Sequence, residues 1–164
     1  MHELDEAAWQ AATREGTEWI EGHSRLLLAS YRHWSGESLW PEAEAAACCA
    51  PVLFHAGVVV LSSRPDEEQT LNYGNAAALR LWAMDWDTLT RLPSRQTAEP
   101  VEQAAREAFL QRVRQEGLIR DYSGVRVAAD GRRFRIEQAR VWNLVGPEGG
   151  YAGQAAAFHH WQGV

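Results

Sequence analysis

The stretch from Thr70 to Trp86, TLNYGNAAALRLWAMDW, sets three local signals end to end. Thr70–Tyr73 is a short extended run, and Gly74-Asn75 is a turn signal. Ala76–Met84 then predicts a short amphipathic helix, with Leu79 and Trp82 three residues apart. Asp85 or Asp87 can cap a further turn that runs to about Arg91, and Pro93 closes it. A strand that turns at once into short helices, followed much later by a hairpin at Asp130-Gly131, constrains the fold to sheet and helix in one layered unit.

The rest of the chain extends this pattern. Leu4–Arg14 reads as a short helix broken at Gly16. Thr17 is placed to cap a second helix that runs to about Trp34 and stops at Gly36. Its apolar positions, among them Ile20, Leu27, Tyr31 and Trp34, form a broad stripe that either packs on its own domain or meets a second copy. Pro41 suits the first turn of another helix, which Pro51 should end or kink. Val58–Leu61 is β-branched and reads as a buried strand, and an acidic loop leads to a second strand near Leu71 and Tyr73. Ser94–Ala98 reads as a polar loop. Glu99–Gly117 predicts a long helix with Val101, Ala105, Ala108, Phe109 and Val113 near one face. Tyr122–Ala128 and Arg133–Val145 flank the Asp130-Gly131 hairpin. Gly146–Gly150 is a second turn, and Tyr151–Trp161 is the last strand. The expected organisation is a helical extension over residues 1–50 and an α+β domain with a five-stranded antiparallel sheet over 51–164.

Composition removes several function classes. The formal charge of −6 argues against a duplex nucleic-acid binder. All 16 basic residues are Arg, so no lysine is available for Schiff-base or phosphate-loop chemistry. No apolar run approaches the ~20 residues a membrane span needs. The N-terminus is acidic and polar, unlike a signal peptide, which leads to an expectation of a soluble cytoplasmic protein. Cys48 and Cys49 are adjacent, without the spacing of a redox or zinc motif, and read as ordinary thiols.

Val58 to Trp161 resembles the PAS pattern from end to end: two strands, short helices, a longer helix, then three strands. More narrowly, LLLASYRHWSG, VVVLSS, LNYGNAAALRLWAMDWDTLTRLPSRQTAEP, YSGVRVAADGRRFRIE and VWNL are similar to the MEKHLA domain, from roughly Gly22 onward. That PAS-related family occurs alone in bacteria and cyanobacteria, and at the C-terminus of plant homeodomain–leucine-zipper regulators. The resemblance implies a sensor built around one cavity between the inner sheet face and the short helices.

Candidate lining residues are Tyr73, Trp82, Arg95, Thr97, Tyr122, Gln138, Trp142 and Gln154. Arg95, in an interhelical loop, could meet a carboxylate or phosphate through two parallel hydrogen bonds, or pair with Glu99 or Glu102. Along 133–145, strict alternation puts Phe134, Ile136, Gln138, Arg140 and Trp142 on one face. That set is the more apolar at its ends and is expected to face the core, unless a bulge reverses half of it.

Cofactor chemistry is disfavoured where its residues are missing. The histidines lack zinc spacing. Haem sensing in PAS relatives places the axial histidine on the long helix, and Glu99–Gly117 has none. Adduct-forming flavin photochemistry needs a cysteine where this chain reads LPSRQTAEP. The leading expectation is a non-enzymatic sensor that binds a small molecule, associates as a homodimer through the Thr17–Trp34 helix and the outer sheet face, and signals to a separate protein. The alternatives are an interaction module with a filled core, and a small isomerase or hydrolase with Glu137 as base and Tyr73 or Tyr122 as donor.

Overall fold

The computed structural model describes residues 3–98 and 100–164. Four helices come first: α1 (Glu3–Ala12), α2 (Glu18–Ser35), α3 (Pro41–Ala45) and α4 (Cys49–Phe54). Strands β1 (Val59–Ser63) and β2 (Leu71–Gly74) follow, then α5 (Ala76–Trp82), α6 (Trp86–Leu89), a 3₁₀ turn at Ser94–Thr97 and α7 (Pro100–Glu116). The chain closes with β3 (Leu118–Val127), β4 (Arg133–Val145), β5 (Tyr151–Phe158) and β6 (His160–Gly163). All pairs are antiparallel, in the order β2-β1-β5-β4-β3, with β6 also on β4.

Local chemistry explains most boundaries. Gly36 ends α2 in the left-handed conformation (φ 72°) and returns its N–H to the Arg32 carbonyl. Thr17 precedes α2, but its hydroxyl makes no capping bond; Glu18 and Glu21 stabilise the positive helix end instead. Pro41 occupies the first turn of α3. Pro51 does not end that helix. The backbone turns extended at Ala46, and Pro51 falls in the first turn of α4, where its missing N–H costs nothing. The expected polar loop at Ser94–Ala98 is a 3₁₀ turn, tied by the Thr97 hydroxyl to the Ser94 carbonyl at 2.7 Å. Gly117 (φ 89°) stops α7 and leads straight into β3, four residues before the expected start at Tyr122. The last strand divides at His159, yet Arg140↔Ala157 and Glu137↔His160 keep one register on β4.

The expected Glu99 start of α7 and the side chain of Val101 lie outside the described residues. Ala105 and Ala108 are exposed; the inward side of α7 carries Arg106, Phe109, Leu110 and Val113.

Asn75 is the pivot between sheet and helices. Its Oδ1 accepts from the Val60 N–H at 3.0 Å and the Ala78 N–H at 3.2 Å. Its Nδ2 donates to the carbonyls of Val58 (2.7 Å) and Leu53 (3.2 Å). One buried side chain thus joins β1, the end of α4 and the start of α5.

The sheet has helices on both faces. On the outer face the apolar stripe of α2 packs on its own domain: Tyr31 meets Trp142 edge-on at 5.0 Å, and the Ser30 hydroxyl accepts from the Val145 N–H at 2.9 Å. Part of the outer face is therefore covered by the chain's own helix. On the inner face α7 lies over Ile119 and Val141 through Val113 and Phe109.

Strict alternation fails in β4. Gln138 has φ 52°, a bulge conformation that inserts an extra residue between the pairs Gly124↔Ile136 and Tyr122↔Ala139. Ile136 faces inward before the bulge; Ala139 and Val141 face inward after it. Trp142, expected to share a face with Ile136, is turned to the outer side under α2.

Candidate functional site

A cavity of about 90 Å³ lies between the inner sheet face, α5 and α7. That is several times what one water requires and well below the roughly 300–1,000 Å³ of sites for drug-sized ligands. Most of its surface is apolar, from Leu61, Trp82, Phe109, Ile136, Val141 and Phe158. Arg106, Tyr122 and Arg126 form one polar group in the lining, with Ser94 bonded to Arg106 and Thr97 to Ser94; Ser62, Ser63, Gln69 and Gln154 supply the rest of its polar surface.

Period-two geometry in β3 builds that group. Tyr122, Gly124 and Arg126 are two residues apart and point the same way. Gly124 leaves the room: a Cβ there would come within 2.9 Å of Tyr122 Cζ and 3.2 Å of the guanidinium. The Tyr122 hydroxyl consequently reaches Arg126 and accepts from its Nη2 at 2.6 Å, while Nη1 donates to the Val125 carbonyl at 3.0 Å. Phe109 of α7 lies on the Tyr122 ring at 4.2 Å.

Arg106 comes from α7, one turn before Phe109 and Leu110. It is 4 % exposed and Arg126 is 8 % exposed. Arg106 donates to the Ser94 hydroxyl and meets the mostly exposed Glu107 carboxylate at 3.5 Å. Burial, with Arg126 close by, pushes its pKa down to about 10. It stays charged at neutral pH.

Of the residues singled out in the sequence, Trp82, Thr97, Tyr122 and Gln154 line this cavity. Thr97 spends its hydroxyl proton on Ser94, and Gln154 ties the sheet to α7 by donating to the Leu110 carbonyl at 3.1 Å. The Trp82 indole N–H is buried without a partner. The other four are elsewhere. Tyr73 pairs with Ser62 and turns to the outer face, where it meets His23 at 5.6 Å under α2. Trp142 lies on that same face. Gln138 is exposed in the bulge, and Arg95 reaches across the surface to Glu68 at 3.6 Å. Sequence reasoning missed Arg106 and Arg126, because a charged residue was assigned to solvent. The legible signal was Tyr122-Ser-Gly-Val-Arg126, where alternation aligns a phenol, a gap and a guanidinium.

Other chemistry finds little support. Glu137 is half-buried, stands opposite His160 in β6 and does not line the cavity, so it is not a base beside a tyrosine there. It is also not paired with Arg126, which bonds Tyr122 and its own strand. Among the described residues no group of three or more His, Cys, Asp or Glu side chains could hold a metal ion, and no helix is long and apolar enough to cross a membrane. The Cys49 thiol is pushed up to about 12 by burial and by Glu21, which keeps it protonated.

Sheet order, inner helices and cavity together define a PAS-like fold, and solved structures agree. A PAS domain from Colwellia psychrerythraea superposes with a TM-score of 0.58 at 12% identity, covering 70% of this chain and 92% of that one. A PAS domain from a two-component sensor histidine kinase gives 0.55 at 15% identity, covering 70% and 91%. The LOV protein of Rhodobacter sphaeroides gives 0.55 at 15% identity, covering 63% and 59%. Within this class, the MEKHLA domain model matches residues 21–163, and the chain belongs to that family. No curated protein matches the sequence.

Proposed function

We propose that this protein is a PAS-like sensory module, not a catalyst, that binds a small molecule in the cavity between the inner sheet face and α7. One observation carries the reading: the inner side of α7 meets the sheet around a mostly apolar hollow, with Arg106, Tyr122 and Arg126 in its lining. A ligand there touches α7 directly, through Arg106, Phe109 and Leu110.

The position of α7 is linked to the outer helix. Asn143 Nδ2 donates to the Val113 carbonyl at 3.1 Å and the Arg114 carbonyl at 3.3 Å, gripping the end of α7. The Asn143 carbonyl accepts from the Trp34 indole of α2 at 2.9 Å. A ligand that favours one seating of α7 therefore biases α2, by no more than its differential affinity for the two seatings. The outward side of α2, where Trp19 is half exposed, is the surface that a second copy or a separate signalling protein would read.

Native mass spectrometry of protein purified from its own source tests this. The expected spectrum carries a bound small molecule and reports the subunit count. Ala139→Leu, which fills the cavity, should remove the molecule and leave the fold intact by circular dichroism. A bare mass for the unaltered protein overturns the reading in favour of an interaction module, which the small cavity volume would then suit.

A further inference from the structure

We infer that the cavity takes a small carboxylate with an apolar body, its charged end held between Arg106 and Arg126 and its body against the Trp82 side. The inference rests on the reading of the cavity as a ligand site.

Two guanidinium groups are buried at one wall of a largely apolar hollow. Charge removed from water is costly unless it is paired and hydrogen-bonded. Each guanidinium carries five N–H donors, and the described residues supply each with two acceptors. Those acceptors are two hydroxyls, one carbonyl and one carboxylate. The carboxylate, of Glu107, is mostly exposed, so water screens it. Among the described cavity-lining residues there is no Asp or Glu. The Trp82 indole N–H, 1 % exposed and lining the same hollow, also lacks an acceptor. The wall thus holds surplus donors and surplus positive charge, and two neighbouring cations repel without an anion between them. An ionised carboxylate is an acceptor-only group whose two oxygens match the guanidinium fork. Inorganic phosphate shares that chemistry but has no use for the apolar remainder of the cavity.

The same side chains also border the solvent. Arg106, Phe109, Tyr122 and Arg126 line an outer depression between α7 and β3 as well as the cavity. They form the partition between the two, and the outer depression carries three arginines, Arg106, Arg112 and Arg126, against one exposed carboxylate, Asp121.

The test is calorimetric titration of the full chain with sodium butyrate, butyramide and inorganic phosphate at fixed ionic strength, after dialysis under mild denaturation and refolding to empty the cavity. Butyrate should bind roughly ten- to a hundredfold more tightly than its neutral isostere butyramide, the worth of one hydrogen-bonded charge. Arg106→Gln and Arg126→Gln should each shrink the butyrate-to-butyramide ratio towards one. Butyramide binding as tightly as butyrate overturns the anion assignment and leaves the cavity reading standing. Phosphate matching butyrate overturns the apolar body. Failure of all three to bind overturns the inference outright, while a co-purified neutral molecule in the mass spectrum would still uphold the sensor. The comparison of butyrate with butyramide on the unaltered protein decides the matter even if neither variant folds.

Discussion

Ile136 and Ala139 line the same cavity although three positions separate them along β4. Alternation alone would set them on opposite faces. Gln138 reconciles the two by adopting φ 52°, which adds one residue to β4 against its partner β3. Everything C-terminal to it changes side, so Val141 and Asn143 meet α7 while Trp142 meets α2.

The first prediction concerns this bulge. A left-handed residue other than glycine carries about 1–2 kcal/mol of strain. Gln138 is exposed, so replacing it changes backbone preference with little packing change. Gln138→Gly is expected to match or exceed the parent in chemical denaturation. Gln138→Val should lose about 1–2 kcal/mol, because a β-branched side chain resists positive φ. Equal stabilities for the two variants would mean that the strand runs unbulged in solution.

Asn75 uses its full capacity, two acceptor and two donor bonds, all to backbone. Asn75→Ala strands buried N–H and C=O groups and should cost roughly 2–4 kcal/mol. Asn75→Asp should be no rescue, since a carboxylate would face the Val58 and Leu53 carbonyls that now receive protons. Urea denaturation of the three proteins measures both losses; an aspartate variant as stable as the parent would contradict the geometry.

Acid should destabilise the protein through His23. The ring is buried beneath Trp19, bonds Ser62 Oγ at 2.8 Å, and burial pushes its pKa down to about 4. The unfolded chain, with an ordinary histidine value near 6.5, binds a proton that the folded state refuses. This contribution is therefore fully present above about pH 6.5 and fades as pH falls toward 4, by roughly 3 kcal/mol in all. Denaturation midpoints measured at pH 7, 6 and 5 should fall, and His23→Gln should flatten that slope even though it lowers stability at pH 7. An unchanged slope in the variant would assign the acid sensitivity to other groups.

Much of the architecture was written locally. Gly36 and Gly117 stop their helices because they alone accept positive φ cheaply, and both act as their positions indicated. Val58–Leu61, the Asp130-Gly131 hairpin and the Asn75-led helix lie where propensity put them. The cavity lining was half legible. Trp82 and Tyr122 were readable as inward residues, whereas Tyr73 and Trp142 were assigned to a face that register and a bulge reversed. Arg106 was unreadable for another reason. Its neighbours Ala105 and Ala108 are the apolar residues, and helical periodicity ranks them above an arginine. Yet the i, i+3, i+7 row that touches the sheet is Arg106, Phe109 and Val113.

The amino-acid order by itself determined which segments are strands and which are helices, since backbone sterics, caps and turn residues act over a few positions. Only the folded structure decided which way β4 faces and where α2 lies. Both depend on pairings between segments far apart in the chain: a bulge against β3, and Trp142 against Tyr31. The two buried arginines belong to that second class. Solvent is the default surroundings of a guanidinium, and only the meeting of α7 with β3 removes it.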